Sequence, residues 1–567
     1  MLTIICLYTL VPLILTIYLT LVSKHKIASW IAYLLIIALA SLNTYFFLPS
    51  RNMLSILWGN AWWTMIWLGI TAPFTNDDET DEKASKNSHI LFVTGIALTV
   101  ILFVAGIAGS LHSKMSVKPM WNSIDKTYSK SNEAPTFKKG ETPIALAPKT
   151  VLNRVRKASS DIPHSQYFSI SDDVQAQYYK GKPVYVISVE YNGFFQMNAA
   201  GEIPGYFIID ATKQSASPKF VKKPYVYATS AYFNRDAKRQ IYRHTPEWLS
   251  LDNPQLEIDD KGNPYWVETI YKSEFMSHRV NYVRLSAAVM NAVAGSVKVY
   301  PIHQLPNFID EGITSGIANQ INWDFGKYKY GWWNSHFSKT GVMKPTGNGV
   351  ENGVTSVFNK DGSISYFTDF TTDKTGSDSA LGYSMINART GKLTFYTASN
   401  IMDSDGAKNN ANQDYKAQQW HAAMPVLYNV NGHPTWVMNI LDQTHAIRGY
   451  YYLDASSQNI YGTGTTPTSA LEAFRQALVE NNAVAGNTKD AHSKSVKGTV
   501  DRVAVLSSKV MFTLKGQKTI YTINLNDYSK SALMKPNDKV KFKASIVDGK
   551  SIGNVSKWTD YALKDLK

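Results

Sequence analysis

Four apolar runs open the chain, roughly 2–22, 27–48, 54–74 and 89–111, and none holds an Asp, Glu, Lys or Arg in its interior. Each is close to the ~20 residues that a helix needs to cross a bilayer. The pattern predicts a four-helix transmembrane anchor over 1–112. No basic stretch precedes the first run, whose first following charge is Lys24, and this separates it from a secretory signal peptide. A polar, Lys-rich stretch over 113–142 then reads as a linker.

Beyond it the periodicity changes to short alternating strands set off by turns. Four times a polar turn with a glycine precedes an aromatic-rich strand: "YYKGKPVYVISV" with Gly181, "IDDKGNPYWVET" with Gly262, "FNKDGSISYFTDF" with Gly362 and "YNVNGHPTWVMNI" with Gly432. Glycine supplies the positive φ that such turns require. Each strand is followed by a second turn on an Asp/Asn-Ala pair: "DATKQSASPKFV" at Asp210, "NAVAGSVKVY" at Asn291, "NARTGKLTFY" at Asn387 with Gly391, and "DASSQNIYG" at Asp454. From the glycine to the Asx is 29, 29, 25 and 22 residues, so one unit of two hairpins recurs. The glycines lie 81, 100 and 70 residues apart, periods too long for a common solenoid. Helical periodicity precedes the units in "APKTVLNRVRKASSD" (Val151, Leu152, Val155), "SAYFNRDAKRQIYRH", "LPNFIDEGITSGIANQINW" (Phe308, Ile309, Ile313, Ile317, Ile321) and "NQDYKAQQWHAAM". A helix laid on a four-stranded antiparallel sheet is a compact α+β layer. The expected modules span 143–224, 225–304, 305–402 and 403–465.

This layout resembles the PepSY family of bacterial extracytoplasmic modules, in which a helix precedes a sheet whose late hairpin carries a "[D/N]-A-x-[T/S]-G" turn. "NARTGKLTFY" matches that turn closely, "NAVAGSVKVY" keeps Asn-Ala and Gly, and "DATKQS" and "DASSQN" lack the glycine. The resemblance covers about residues 145–465. It implies non-catalytic modules that act in peptidase inhibition or protein–protein regulation at the envelope. The arrangement as a whole is similar to multi-span membrane proteins of low-GC Gram-positive bacteria.

The last segment follows a different pattern. "TSALEAFRQALVENN" is an amphipathic helix (466–492) with Leu471, Phe474 and Leu478 on one face. Short strands follow, with turns at Ser507-Ser508 and Gly516. They predict a small OB-like β-barrel over 493–567. The expected fold class is thus an α-helical membrane anchor, α+β repeat modules and a C-terminal barrel.

Composition narrows the function. The net charge is +14 and the pI about 9.3, which suits anionic lipid, an anionic cell-wall polymer or nucleic acid. The lone cysteine is Cys6, in the first apolar run, which excludes an intramolecular disulfide framework and Cys-based metal sites. Basic residues flank the runs almost evenly, Lys24, Lys26, Lys83 and Lys86 against Arg51, Lys114 and Lys118, and the uncharged start points both termini outward. Asn43 and Asn60 are sparse polar groups for a transporter, and Trp58, Trp62, Trp63 and Trp67 fit helix packing and interfacial anchoring.

The chain carries no GxSxG elbow, HExxH or P-loop, and no cofactor or metal is expected. "DSDGAKNN" from Asp403 has a faint likeness to a calcium loop that no Glu closes. Glu257, Asp259 and Asp260 read as solvated charges at a hairpin turn. The densest aromatic stretch is "INWDFGKYKYGWWNSHF", with Trp323, Tyr328, Tyr330, Trp332, Trp333 and His336. Such a group in a connecting region fills a joint between modules, meets a partner or stacks on sugar. The sequence therefore leads to a multi-pass cell-membrane protein with its soluble region extracytoplasmic. It is expected to act as a non-catalytic scaffold or regulator for protein partners or a homo-oligomer. Two alternatives stand beside it: an envelope hydrolase with carboxylates that meet only in space, and a nucleic-acid binder acting through the Lys-rich barrel, with Phe512, Tyr521, Tyr528, Phe542 and Trp558 as its aromatics.

Overall fold

The structure is a computed structural model that describes residues 1–22, 26–75, 82–129, 145–274, 276–349, 352–359, 361–373, 378–430, 432–481, 491–505, 509–525, 528–547 and 552–563. The described residues divide into two compact units. The first holds the N-terminal helices and modules 1–3, and the second holds module 4, the following helix and the barrel.

The apolar runs are helical, at Leu2–Tyr8, Leu10–Val22, Lys26–Phe47, Met53–Thr75 and Glu82–Met115. Among the described residues two helices are long and apolar enough to cross a membrane, Lys26–Phe47 and His89–Met115. A third span is added only if Leu2–Tyr8 and Leu10–Leu21, bent by 64° at Thr9, are counted as one. The expected four spans are not supported. The helix Met53–Thr75 is long enough but carries Asn60, Pro73 and four indoles, which lower its apolarity. Asn60 has a local task. Its Nδ2 donates to the Leu7 carbonyl at 2.7 Å and its Oδ1 accepts the Val11 N–H at 3.0 Å, so it satisfies the backbone groups freed at the bend. Trp67 is buried and donates to Thr16 at 2.8 Å, and Trp58 and Trp62 pack edge-on against Phe103.

The expected linker is ordered as far as Ser129. The last apolar helix runs on to Met115, Val117–Ser123 forms a further helix, and Lys126–Ser129 pairs in parallel with Leu393–Thr397 as the edge strand of module 3. Residues 130–142 of that call lie outside the described residues.

Modules 1–3 share one plan. A strand, a glycine turn, two further strands, an Asx-Ala turn and a closing strand pair antiparallel in turn: Gln175–Tyr179, Lys182–Tyr191, Tyr206–Asp210 and Lys219–Val221 in module 1, and Gln255–Ile258, Pro264–Ser273, Val280–Asn291 and Val297–Pro301 in module 2. Module 3 repeats it with Thr355–Phe358, Ile364–Thr372, Ala380–Asn387 and Leu393–Thr397. Module 4 is the four-stranded sheet His421–Val430, His433–Leu441, Ile447–Asp454 and Tyr461–Gly464. At Gly181, Gly262, Gly362 and Gly432 φ lies between +73° and +87°, which L side chains rarely adopt.

One hydrogen bond recurs in all four sheets. The N–H of the alanine after the Asx donates to the second residue past the turn glycine: Ala211 to Pro183 (3.1 Å), Ala292 to Pro264 (3.1 Å), Ala388 to Ile364 (2.9 Å) and Ala455 to Pro434 (2.8 Å). The Asx side chain accepts from the turn backbone in every copy, as when Asn387 Oδ1 takes the N–H groups of Arg389 (3.1 Å) and Thr390 (2.9 Å). An aromatic four residues past the glycine anchors each core: Tyr185, Trp266, Tyr366 and Trp436, all buried.

The helices differ from the sequence pattern in two modules. In module 3 the helix is Ser315–Tyr328, capped by Thr314, so Phe308, Ile309 and Ile313 precede it as non-helical chain. Their helix-like spacing gives way because the backbone N–H groups there are taken by neighbouring modules. In module 4 the helix is Ser404–Asp414 and not 412–424, whose last four residues already belong to the strand His421–Val430. The same sheet also carries the helix Pro467–Glu480, admitted close to Tyr461–Gly464 by Gly462 and Gly464. Helices stand at Pro148–Lys157 and Ala237–His244 in the first two modules, as their patterns predict.

The C-terminal strands Ala491–Val505, Lys509–Leu514, Ile520–Asn524, Lys539–Val547 and Ile552–Asp560 close a barrel in the order first, second, third, fifth, fourth. Val500, Val510, Phe512, Leu514, Tyr521, Val540 and Phe542 fill it. The turn expected at Ser507-Ser508 lies outside the described residues.

Candidate functional site

A buried polar region gathers on the connector 305–314, which leads from module 2 into the helix of module 3. Each of the first three modules binds it. From module 2, Glu257, fully buried, accepts the N–H of Asp310 (2.8 Å) and of Glu311 (3.2 Å), and Thr269 donates to the Gly312 carbonyl (3.0 Å) while accepting the Thr314 N–H (3.0 Å). From module 1, Gln177 Nε2 donates to the carbonyls of Ile258 (2.6 Å) and Phe308 (3.0 Å), Gln175 donates to Glu311, and the Tyr178 N–H donates to Asp310 (2.6 Å). From module 3, Arg389 Nη2 donates to the carbonyls of Leu305 (2.7 Å) and Pro306 (3.2 Å) and Nη1 to that of Ile309. Tyr366 donates to the Ile313 carbonyl (3.0 Å), and the Ile313 N–H returns to Ala388 (2.8 Å).

Burial governs the acids here. It pushes the Glu257 carboxyl up to about 8 and Asp310 up to about 6, with Arg389 acting the other way on both. Glu257 is thereby corrected from a solvated turn charge to a buried bracket between modules 2 and 3. Asp259, its neighbour, caps its own turn by accepting the N–H groups of Lys261 (2.9 Å) and Asn263 (2.8 Å). These carboxylates hold backbone amides, which is structural work. Nothing local in the sequence marks the junction, because its partners lie 43 to 136 residues apart. Arg389 stands in the "NARTG" turn and Glu257 beside the Gly262 turn, and neither position by itself points to the connector.

The aromatic stretch is split by the structure. Its first part lies in the helix Ser315–Tyr328 and its second in the short helix Gly331–His336. Tyr328 is buried, and Phe325 beside it is buried among Trp121, Phe370 and Phe395. Trp323, Tyr330 and Trp333 are exposed, as is His336, which stacks on Trp332 at 4.3 Å. The stretch sits by the exit of the last apolar helix: Lys118 donates to the Lys329 carbonyl (2.8 Å) and Trp121 to that of Phe325 (2.9 Å). Phe325 is thus packed against module 3's own sheet and Tyr328 is buried, while Trp323, Tyr330 and Trp333 are exposed.

Two further readings change. Residues from Ser404 to Asn410 are helical, so "DSDGAKNN" is no loop and cannot wrap a calcium ion. In the barrel, Phe512, Tyr521 and Phe542 are core residues and are withdrawn from any stacking surface.

No protein family matches the chain, and no curated protein matches it in sequence. Among solved structures, the crystal structure of the polysaccharide lyase Uly1 is similar at 10% identity over 68% of this chain and 80% of that one, with a TM-score of 0.15. A levansucrase variant of B. megaterium is similar at 10% identity over 79% of this chain and 96% of that one, with a TM-score of 0.17. Scores this low carry no argument about fold or function.

Proposed function

We propose that the chain is a non-catalytic, membrane-anchored scaffold or regulator that presents PepSY-like modules to protein partners on the outer side of the cell membrane. The observation that supports this most is the junction at 305–314. Three modules spend their buried polar groups on one another's backbone, which makes a stiff platform out of units that are each small. Apolar helices at its base supply the anchor: Arg279 Nε donates to the Ser113 carbonyl (3.2 Å), Asn52 to that of Ser277 (3.1 Å) and Arg239 to that of Tyr45 (3.0 Å). Module 2 is therefore seated directly on the helix ends. We read the terminal barrel as OB-like from its strand order, acting as a protein-binding cap.

The test is photo-crosslinking in cells with a reactive amino acid at exposed Trp333, Phe195 or Tyr232. A discrete protein adduct, lost when neighbouring surface residues are changed, is the expected result. Crosslinks to lipid or glycan alone, at every position, would refute a protein-presenting scaffold.

A further inference from the structure

A cavity of about 350 Å³ opens where the helix Lys26–Phe47 ends, between the segment 46–51 and the helix Ala237–His244. Its lining includes Phe46, Phe47, Arg51, Tyr242, Trp248 and Glu268. Its volume is at the small end for ligand sites.

Its polar groups are unusual in being buried and unsatisfied. Arg51 Nε and Nη1 carry no hydrogen-bond partner, and neither does Glu268 Oε2. Buried donors of a guanidinium left empty cost free energy unless something fills them. Both side chains are held in place. The Arg51 guanidinium lies 3.7 Å from the centre of the Tyr242 ring, whose hydroxyl is tied to the Pro49 carbonyl at 2.8 Å. Glu268 accepts from Ser250 with its other oxygen, and burial pushes its carboxyl up to about 7. The cavity therefore offers a fixed, planar pair of donors for an anion beside an acceptor for a hydroxyl.

We propose that this cavity binds the head of an anionic phospholipid, with the phosphate on Arg51 and a head-group hydroxyl donating to Glu268. The guanidinium fork matches phosphate geometry. The membrane supplies the ligand because Phe46 and Phe47, more than half exposed, form the rim at the very end of an apolar helix long enough to cross the bilayer. An acyl chain leaving the cavity passes along those rings into the hydrocarbon, whereas a free phosphate ester gains nothing from them.

The test uses the full-length protein in nanodiscs of phosphatidylcholine with or without phosphatidylglycerol, followed by gentle extraction and native mass spectrometry of retained lipid. Wild-type protein is expected to keep phosphatidylglycerol in preference to phosphatidylcholine. Arg51→Gln should weaken that retention by roughly 10- to 100-fold, as for loss of a charged hydrogen bond. Glu268→Gln, which preserves shape, should weaken it less, and Arg156→Gln, on an exposed ion pair, should leave it unchanged. Equal retention of both lipids by the wild type overturns the proposal, and so does undiminished retention by Arg51→Gln. Displacement of the lipid by an equal concentration of soluble glycerol phosphate also overturns it, by making the ligand a free ester. The wild-type comparison and Glu268→Gln keep the test decisive if Arg51→Gln fails to fold.

Discussion

Arg389→Ala is the sharpest test of the junction. Its guanidinium satisfies three carbonyls of the connector, those of Leu305, Pro306 and Ile309, from within the turn of module 3. Hydrogen bonds from a charged donor are each worth about 1.5–3 kcal/mol, and leaving the acceptors empty is the larger cost. The contacts are only partly buried, so water recovers some of the loss. Removal also strips Glu257 and Asp310 of the cation that favours their charged forms. The expected cost is about 3–4 kcal/mol, or two to three orders of magnitude in local opening. Hydrogen exchange on the full-length protein reads it out by segment. Protection should fall in 305–314 and in the strands Gln175–Tyr179 and Gln255–Ile258, which belong to other modules. Arg389→Lys should recover less than half, because an ammonium cannot span the same carbonyls. Loss of protection confined to the hairpin 380–397, with Gln175–Tyr179 untouched, would refute the idea that the connector couples three modules.

Two further outcomes follow from the buried groups. Burial raises Glu257 to about 8, Glu268 to about 7 and Asp310 and Asp369 to about 6, from 4.5 for Glu and 3.8 for Asp. The folded state holds these protons more tightly than the unfolded chain does, so their contribution is full below about pH 4 and is lost as pH rises through roughly 6 to 8. Tm measured by calorimetry should therefore fall across that window, and a Tm that climbs through it contradicts the assignment. Gly462→Ala should loosen the helix Pro467–Glu480, because its Cβ would stand 2.0 Å from the Phe474 nitrogen and 2.4 Å from its Cα. Backbone cannot yield as a side chain does, so the cost is about 3 kcal/mol. Limited proteolysis within 467–480 should quicken, and unchanged cleavage would show that the close approach at Gly462 does not hold the helix.

Sequence carried the local rules and missed the remote ones. The glycine turns and Asx-Ala turns were legible because each needs only a positive φ or a side chain accepting from its own backbone within three residues. The strands between them were legible for the same reason, each opening with a buried aromatic four residues past the turn glycine. Glu257 was misread because its flanking Asp259 and Asp260 signal a wet turn, whereas its partners sit 53 and 54 residues away. The connector 305–314 was misread as helix because Phe308, Ile309 and Ile313 share a helical spacing, whereas its backbone bonds to all three modules: the Phe308 carbonyl to Gln177, the Asp310 N–H to Glu257 and the Ile309 carbonyl to Arg389. The third apolar run was overcounted as a span because its tryptophans look hydrophobic by size, yet each indole carries an N–H that needs a partner, as Trp58 finds in Ser110 and Trp67 in Thr16. The cavity beside Arg51 had no sequence signal at all, since it joins the segment 46–51 to a strand residue more than two hundred positions away.

We propose that the modules lie outside the cell, on a chain anchored by the N-terminal helices. Protease treatment of intact cells, with an epitope tag at the C-terminus and a cytoplasmic protein as control, tests it most directly. The account predicts that the tag is lost while the control survives. A tag that resists until the cells are lysed would contradict it and would place the modules and the basic barrel in the cytoplasm.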